Sequence, residues 1–284
     1  MISIVIPCYN EEDVIPMLHE RLHAAAEQWE EPFEVVLVDD GSGDRTWELI
    51  RDLHKRDERW RAISLARNFG HQTAVSAGIH FASGDAVIVM DADLQDPPEE
   101  LHRFIQKWQE GYQVVYAIRT KRKENILKRA SYKSFYRILS RIADIPIPLD
   151  SGDFCLMDRR VVNQIKAMPE KNRFVRGLRS WVGFRQIGVE YERDARAAGD
   201  VKYTVRRLIN LAVDGLFSFS TAPLRLATWL GFLVSAAALF GVIFTILQRI
   251  FIDWFTAHGF PFVPGYYTTI TIVLFLGGVQ LVSL

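Results

Sequence analysis

The chain is 284 residues long, room for one large domain or two modest ones. Its 34 Lys and Arg balance 34 Asp and Glu, so no net field recruits nucleic acid or an acidic partner, and any basic site has to be local. Two cysteines, Cys8 and Cys155, exclude a disulfide framework and fit a reducing compartment, and the first apolar run is too short for a secretory signal.

Residues 2–7 read as a strand, which Pro7 ends because proline cannot donate to a sheet ladder. Asn10-Glu11-Glu12-Asp13 then offers capping side chains to a helix that reaches about Trp29. Residues 33–38 form a second strand, opening into Asp39-Asp40-Gly41-Ser42-Gly43-Asp44. Residues 61–65 form a third, followed by Arg67-Asn68-Phe69-Gly70-His71 and a helix to Ala82. Residues 86–90 are a short apolar run of the kind buried on both faces of a sheet. This alternation predicts an α/β fold, a mainly parallel sheet with helices on both faces. Ligands bind such sheets beyond the carboxyl ends of the strands. Pro7 to Glu11, Asp39 to Ser42, Asn68 and Asp91 to Gln95 all fall at those ends.

The chemistry concentrates in Asp91-Ala92-Asp93-Leu94-Gln95-Asp96-Pro97-Pro98. With the backbone extended past Met90, side chains alternate, so Asp91, Asp93 and Gln95 point the same way. Three oxygen ligands then suit a hard divalent cation, Mg2+ or Mn2+, that keeps open positions for phosphate. Asp96 reads as the cap of a helix that begins at the prolines. Taken singly, each loop has a plainer reading: Asp-x-Asp as a polar turn, Asp39 to Ser42 likewise, and His71 as a structural residue at a helix start. Those readings leave unexplained five acids, Asp39, Asp40, Asp91, Asp93 and Asp96, gathered along one sheet edge. Like charges there repel unless a cation or hydrogen-bond donors sit among them.

Residues 114–119 form a fifth strand, ending at Arg119 beside the metal loop. Arg129, Lys133, Arg137 and Arg141 recur every four residues, a one-sign stripe on a helix that suits a membrane surface or a phosphate. Arg119 and Arg129, with Ser134 in the same stretch, are the expected contacts of a phosphate. Ser151-Gly152-Asp153-Phe154 turns into a strand and then a helix.

Residues 226–247 are 22 without a formal charge, close to the ~20 needed to cross a bilayer, and residues 260–284 are a second such run of 25, with Tyr266 and Tyr267 as interfacial anchors. Arg206, Arg207 and Arg225 precede the first run, whereas the connection near 248–263 carries only Arg249 against Asp253, so the soluble part is expected in the cytoplasm. Residues 201–223 read as an amphipathic juxtamembrane helix between a soluble domain of residues 1–200 and two spans in 224–284. The apolar run stops at Leu284 without a polar flank, so a further cytoplasmic tail is expected.

Ile4-Val5-Ile6-Pro7-Cys8-Tyr9-Asn10-Glu11, Val38-Asp39-Asp40-Gly41-Ser42, Asn68-Phe69-Gly70 and Asp91 to Pro98 together resemble the GT-A glycosyltransferases of family two. The branch that glycosylates polyprenyl phosphates, such as the bacterial undecaprenyl-phosphate glucosyltransferases and the dolichyl-phosphate mannose synthases, is the most similar. The resemblance implies a nucleotide-sugar donor, with Pro7, Tyr9 and Glu11 against the nucleoside and Asp39 or Asp40 on the base or ribose. Asp91, Asp93 and Gln95 would hold the metal against the diphosphate. Asp153 lines the cleft opposite as base or orienter, and Asp153, Asp93 and Arg119 are the expected catalytic set. Arg196 and Lys202 fall in a stretch similar to the branch's donor loop, where Val201 replaces an expected Ser or Thr. The expected activity is inverting transfer of one hexose, glucose or a relative, from a UDP-sugar to undecaprenyl or dolichyl phosphate at a membrane. A GDP-mannose-dependent synthase, a polysaccharide synthase and a non-catalytic scaffold are the alternatives, with homo-oligomerisation left open. Against the polysaccharide synthase stands the missing Gln-x-x-Arg-Trp, and against a nucleotidylyltransferase the missing Gly-rich, Lys-bearing loop.

Overall fold

A computed structural model describes residues 1–119, 151–170, 173–192, 222–260 and 265–283, which fall into two compact units on either side of residue 211. Arg129, Ser134, Arg196, Lys202, the basic stripe and the juxtamembrane helix lie outside the described residues.

The first unit is built on seven strands, β1 (Ile2–Cys8), β2 (Phe33–Asp39), β3 (Trp60–Ser64), β4 (Ala86–Val89), β5 (Val114–Arg119), β6 (Ser151–Asp158) and β7 (Gln186–Tyr191). They lie side by side in the order β3-β2-β1-β4-β6-β5-β7. β1 to β4 are parallel, β6 runs antiparallel to both β4 and β5, and β7 is parallel to β5. The helices are α1 (Ile15–Ala26), α2 (Thr46–Arg56), α3 (His71–Phe81), α4 (Leu101–Gln109), α5 (Arg159–Ala167) and α6 (Val175–Trp181). Alternation along β1 sends Ile2, Ile4 and Ile6 to one face, against Leu18 and Leu22 of α1, Ile50 of α2 and Phe104 of α4. Val5 goes to the other, with Ala74, Val75 and Ile79 of α3, Val161 and Ile165 of α5 and Leu178 of α6. The chain steps outward from β1 through β2 to β3 and then returns to the opposite side of β1 as β4. The crevice where strand order reverses therefore opens beyond the ends of β1 and β4.

α3 reaches the sheet at Gly78, where an added Cβ would overlap Val5 Cγ1 and lie 3.2 Å from Val38 Cγ2. Overpacking at so close a contact costs about 1–3 kcal/mol. Gly78→Ala should lower the thermal midpoint of the full chain by several degrees in a fluorescence melt, and an unchanged midpoint would show that helix and sheet separate freely.

Two expected boundaries and one expected strand neighbour differ. β1 continues through Pro7 to Cys8, because Pro7 is aligned so that its nitrogen faces the β4 side, where the last ladder partner is Val89 opposite Val5. Cys8 turns its carbonyl to β2 and accepts Asp40 N at 2.9 Å. α1 begins at Ile15 without a side-chain cap, since Asn10 and Glu12 are engaged with the loop after β2. β5 does not lie beside β4: β6 is interposed, so Arg119 ends a strand two positions from the one that leads into Asp91–Gln95, paired with Tyr191.

The second unit holds α7 (Ala222–Ile250), α8 (Ile252–Ala257) and α9 (Tyr266–Ser283). Within α7, Leu224–Ile250 has few buried side chains, and it alone among the described helices is long and apolar enough to cross a membrane. α9 carries apolar character along Thr269–Ser283 of its described residues. α9 runs antiparallel to α7 along small residues: a Cβ on Gly231 would come within 2.7 Å of Gly278 O, and one on Gly241 within 2.9 Å of Thr271 Oγ1.

Candidate active site

The loops after β1, β2 and β3 are stitched into one rim. Asn10, in a left-handed conformation at φ 54, donates its amide to Ser42 Oγ at 2.9 Å and accepts Gly43 N at its own Oδ1 at 2.8 Å. Glu11 N donates to Thr46 Oγ1 at 2.8 Å, and Glu12 Oε2 accepts Arg45 N at 3.1 Å. Asp39 spends Oδ1 on Ser42 N at 3.2 Å. Gly41, at φ +68, passes so close to the next loop that a Cβ would lie 2.7 Å from Asn68 N.

The paired acids after β2 have different employment. Asp40 accepts Phe69 N at Oδ1 at 2.8 Å and Gly70 N at Oδ2 at 2.9 Å, and it is buried. Each of its oxygens accepts one backbone amide, so Asp40 fastens the loop before α3. Asp39, equally buried, closes β2 with Oδ2 not used by Ser42, while Glu11 is half-buried, Tyr9 is 44% exposed and Pro7 lies buried within β1.

Beyond β4 the expected alternation gives way to a turn. Met90 N still donates to Val5 O at 3.1 Å, but Leu94 turns at φ 56 and Asp93 Oδ1 accepts Gln95 N at 3.2 Å. Asp93 is buried, Gln95 half-buried and the Asp91 side chain 33% exposed. Asp96 is no helix cap: the next helical turn starts at Pro98 with Pro97 before it, and Asp96 accepts the Tyr191 hydroxyl at the end of β7. A buried phenol donating to a buried carboxylate meets the needs of both groups better than a cap at the surface would.

Facing this turn is Asp153, near the start of β6. Its Oδ2 lies 3.3 Å from His71 Nε2 and accepts Gln72 Nε2 at 3.2 Å, and its Oδ1 lies 3.4 Å from Arg176 Nη2. Burial works against the charge, but the His71 hydrogen bond and the Arg176 charge outweigh it and hold the carboxyl well below the usual range. His71 Nε2 is also 3.8 Å from Asp91 Oδ1. Burial lowers the imidazole pKa, yet the bond to Asp153 and the charge of Asp91 raise it further than burial takes it down. Asp91 goes the other way, pushed up to about 6 by burial, with Asp96, Asp153 and Asp93 adding repulsion and His71 opposing it.

His71 opens α3 with its Nε2 toward both Asp153 and Asp91. It stands between the two acidic walls, a place its loop alone could not reveal. Gln72 and Arg176 have no assigned role in the sequence, because each reaches Asp153 from a segment distant from it along the chain.

Whether a divalent cation suits this crevice can be judged from Asp91. Among the described residues no three His, Cys, Asp or Glu side chains form a closed ligand set. The crowding of Asp93, Asp96 and Asp153 around Asp91 is nevertheless the charge imbalance that a cation relieves. One or two carboxylates with the rest left to water and phosphate is the usual Mg2+ arrangement. The residues fit an open site, not a cage.

A family model described as Glycosyl transferase family 2 matches residues 3–166. An uncharacterized glycosyltransferase of Bacillus subtilis, YkcC, is 46% identical over 283 residues, covering 99% of this chain and 85% of the relative. The bactoprenol glucosyl transferase of Shigella phage SfV is 41% identical over 285 residues, covering 100% of this chain and 90% of the relative. Among solved structures, a mannosyltransferase from Pyrobaculum calidifontis in complex with GDP-Man and Mn2+ is similar at 20% identity and a TM-score of 0.49, over 74% of this chain and 60% of that one.

Proposed function

The chain belongs to glycosyl transferase family 2, and from that premise we propose that it moves one hexose, with inversion, from a UDP-sugar to a polyprenyl phosphate at a membrane. The observation that carries the reading is the crevice at the strand-order reversal, where the Asp91–Asp93 turn faces the His71, Asp153 and Arg176 cluster. Supporting the acceptor are relatives named for bactoprenol, at about 40% identity along the whole chain. Supporting the membrane are α7 and the apolar helix that packs along it, read as two spans with the first unit in the cytoplasm.

Asp91 and Asp93, with Gln95 on the same turn, are the residues to hold Mg2+ or Mn2+, which when bound offsets the charge building on a leaving diphosphate. Tyr9, Glu11 and Asp39 form the rim for the nucleoside. The nucleophile is a phosphate oxygen, and a phosphate monoester has its second pKa near ~6, so it needs no strong base. Asp153, ionised and gripped by three donors, fits an orienter better than a proton acceptor. Arg119, Arg129 and Ser134 are proposed for the acceptor phosphate, and Arg196 and Lys202 for the donor.

A screen of nucleotide-sugars against polyprenyl phosphate, with the full chain in lipid nanodiscs, tests the reading. Transfer only to water-soluble acceptors would defeat it. Within the active combination, Arg129→Ala should weaken use of the lipid phosphate by ten- to a hundred-fold, as expected for a charge-assisted contact worth roughly 1.5–3 kcal/mol. Asp39→Ala should do the reverse, raising the donor requirement with little effect on the acceptor. Steady-state kinetics with each substrate varied in turn separates the two, and loss of nucleotide binding in Arg129→Ala would assign the stripe to the donor instead.

A further inference from the structure

The loop entering α3 is held at its base. Asp40 takes the amides of Phe69 and Gly70, Gly70 turns at φ 96, and His71 opens the helix. His71 Nε2 then reaches Asp153 Oδ2 at 3.3 Å and Asp91 Oδ1 at 3.8 Å. The next residue, Gln72, donates to the same Asp153 oxygen at 3.2 Å and accepts Val175 N at 2.9 Å. Two consecutive residues of one helix therefore join the β4 turn, the start of β6 and the start of α6. The N-terminal end of α3 adds its own preference for a negative group.

Without a donor between them, two carboxylates on opposite walls repel and their separation is poorly defined. We propose that His71 is a positioning residue for sugar transfer: bonded to Asp153 and facing Asp91 at 3.8 Å, it sets the spacing between the β6 wall and the turn that carries the diphosphate. This rests on the transferase reading above. Asp153 then serves as the anion that anchors the imidazole and Arg176.

The test uses the full chain in nanodiscs, as His71→Ala and as His71→Gln, which keeps an amide donor at similar reach. A misplacement of about 1 Å costs on the order of a hundredfold, so His71→Ala should lose about that much in kcat. Its KM for the nucleotide-sugar should stay within about threefold, because the nucleoside rim is untouched. His71→Gln should regain at least about tenfold of the loss, as expected when placement and not proton transfer is at stake. Equal activity of the two variants, or a parallel decline of kcat, donor affinity and thermal midpoint, would overturn the proposal. If the wild type transfers nothing to any polyprenyl phosphate, the transferase reading fails by itself. The His71–Asp153 bond is then decided by NMR of 15N-histidine-labelled protein. A slowly exchanging His71 Nε2 proton that disappears in Asp153→Ala supports it, and a freely exchanging one overturns it.

Discussion

Asp93→Ala should abolish useful turnover, lowering kcat by on the order of a thousandfold or more. The removed carboxylate is buried in the turn after β4, beside Asp91. Several kcal/mol of charge stabilisation on the leaving group go with it, at 1.36 kcal/mol for each tenfold in rate. Because Asp93 Oδ1 also accepts Gln95 N, alanine loosens the turn as well. Asp93→Asn keeps that acceptor and removes only the charge, so it should be nearly as inactive as alanine while melting like the wild type. Full activity of purified Asp93→Ala in excess chelator would end the metal assignment.

The second large effect is on stability, at the opposite end of the sheet. Glu34, at the start of β2, is buried. Its Oε1 accepts Ser3 Oγ at 2.6 Å and both Ser83 N and Oγ at 2.7 Å, and its Oε2 accepts Arg61 Nη1 at 3.0 Å. Ser3 Oγ in turn accepts Gly84 N at 2.7 Å, so the network joins β1, β2, β3 and the turn before β4. Burial alone would raise the carboxyl pKa, but the bonds from Ser3, Ser83 and Arg61 bring it down to about 2. A folded-state value below the unfolded one means stability that is present above the unfolded pKa and lost as pH falls toward the folded pKa. Arg61 is 39% exposed and can turn to water, so the loss falls on the hydrogen bonds to the charged carboxylate, about 1.5–3 kcal/mol each. Glu34→Ala should therefore melt well below the wild type at pH 7, and the gap should narrow steadily between pH 4.5 and pH 2. A gap that stays constant over that interval would mean that the carboxylate's charge is not what holds these strands.

Much of this architecture was legible because it rests on local signals. Apolar runs such as 33–38 and 86–89 announce buried strands wherever they fall, and their alternation with helices fixes parallel neighbours. The stretch around Cys155 announces a strand equally well but not its direction. Its insertion between β4 and β5 depends on partners far away in sequence, so Arg119 was expected next to a strand it does not touch. Asp39 and Asp40 look interchangeable in a sequence, and only the amides of Phe69 and Gly70 tell them apart. The extended reading of Asp91 to Gln95 failed for a similar reason. Asp93 can bond to the backbone two residues on, and that local bond competes with the strand. The role of His71 arises from a meeting of three segments that no spacing encodes.

Asp40 has a consequence for how a substrate pays for its place. Loops that gather around a ligand surrender backbone freedom on binding, about 1–2 kcal/mol for each residue ordered. Here two amides of the loop after β3 are already tied to a buried carboxylate, and the loops after β1 and β2 are tied to each other. That entropy is surrendered when the chain folds, not when a ligand arrives. More of the contact energy at this rim is left to appear as affinity, and a ligand meets a surface whose shape was decided beforehand.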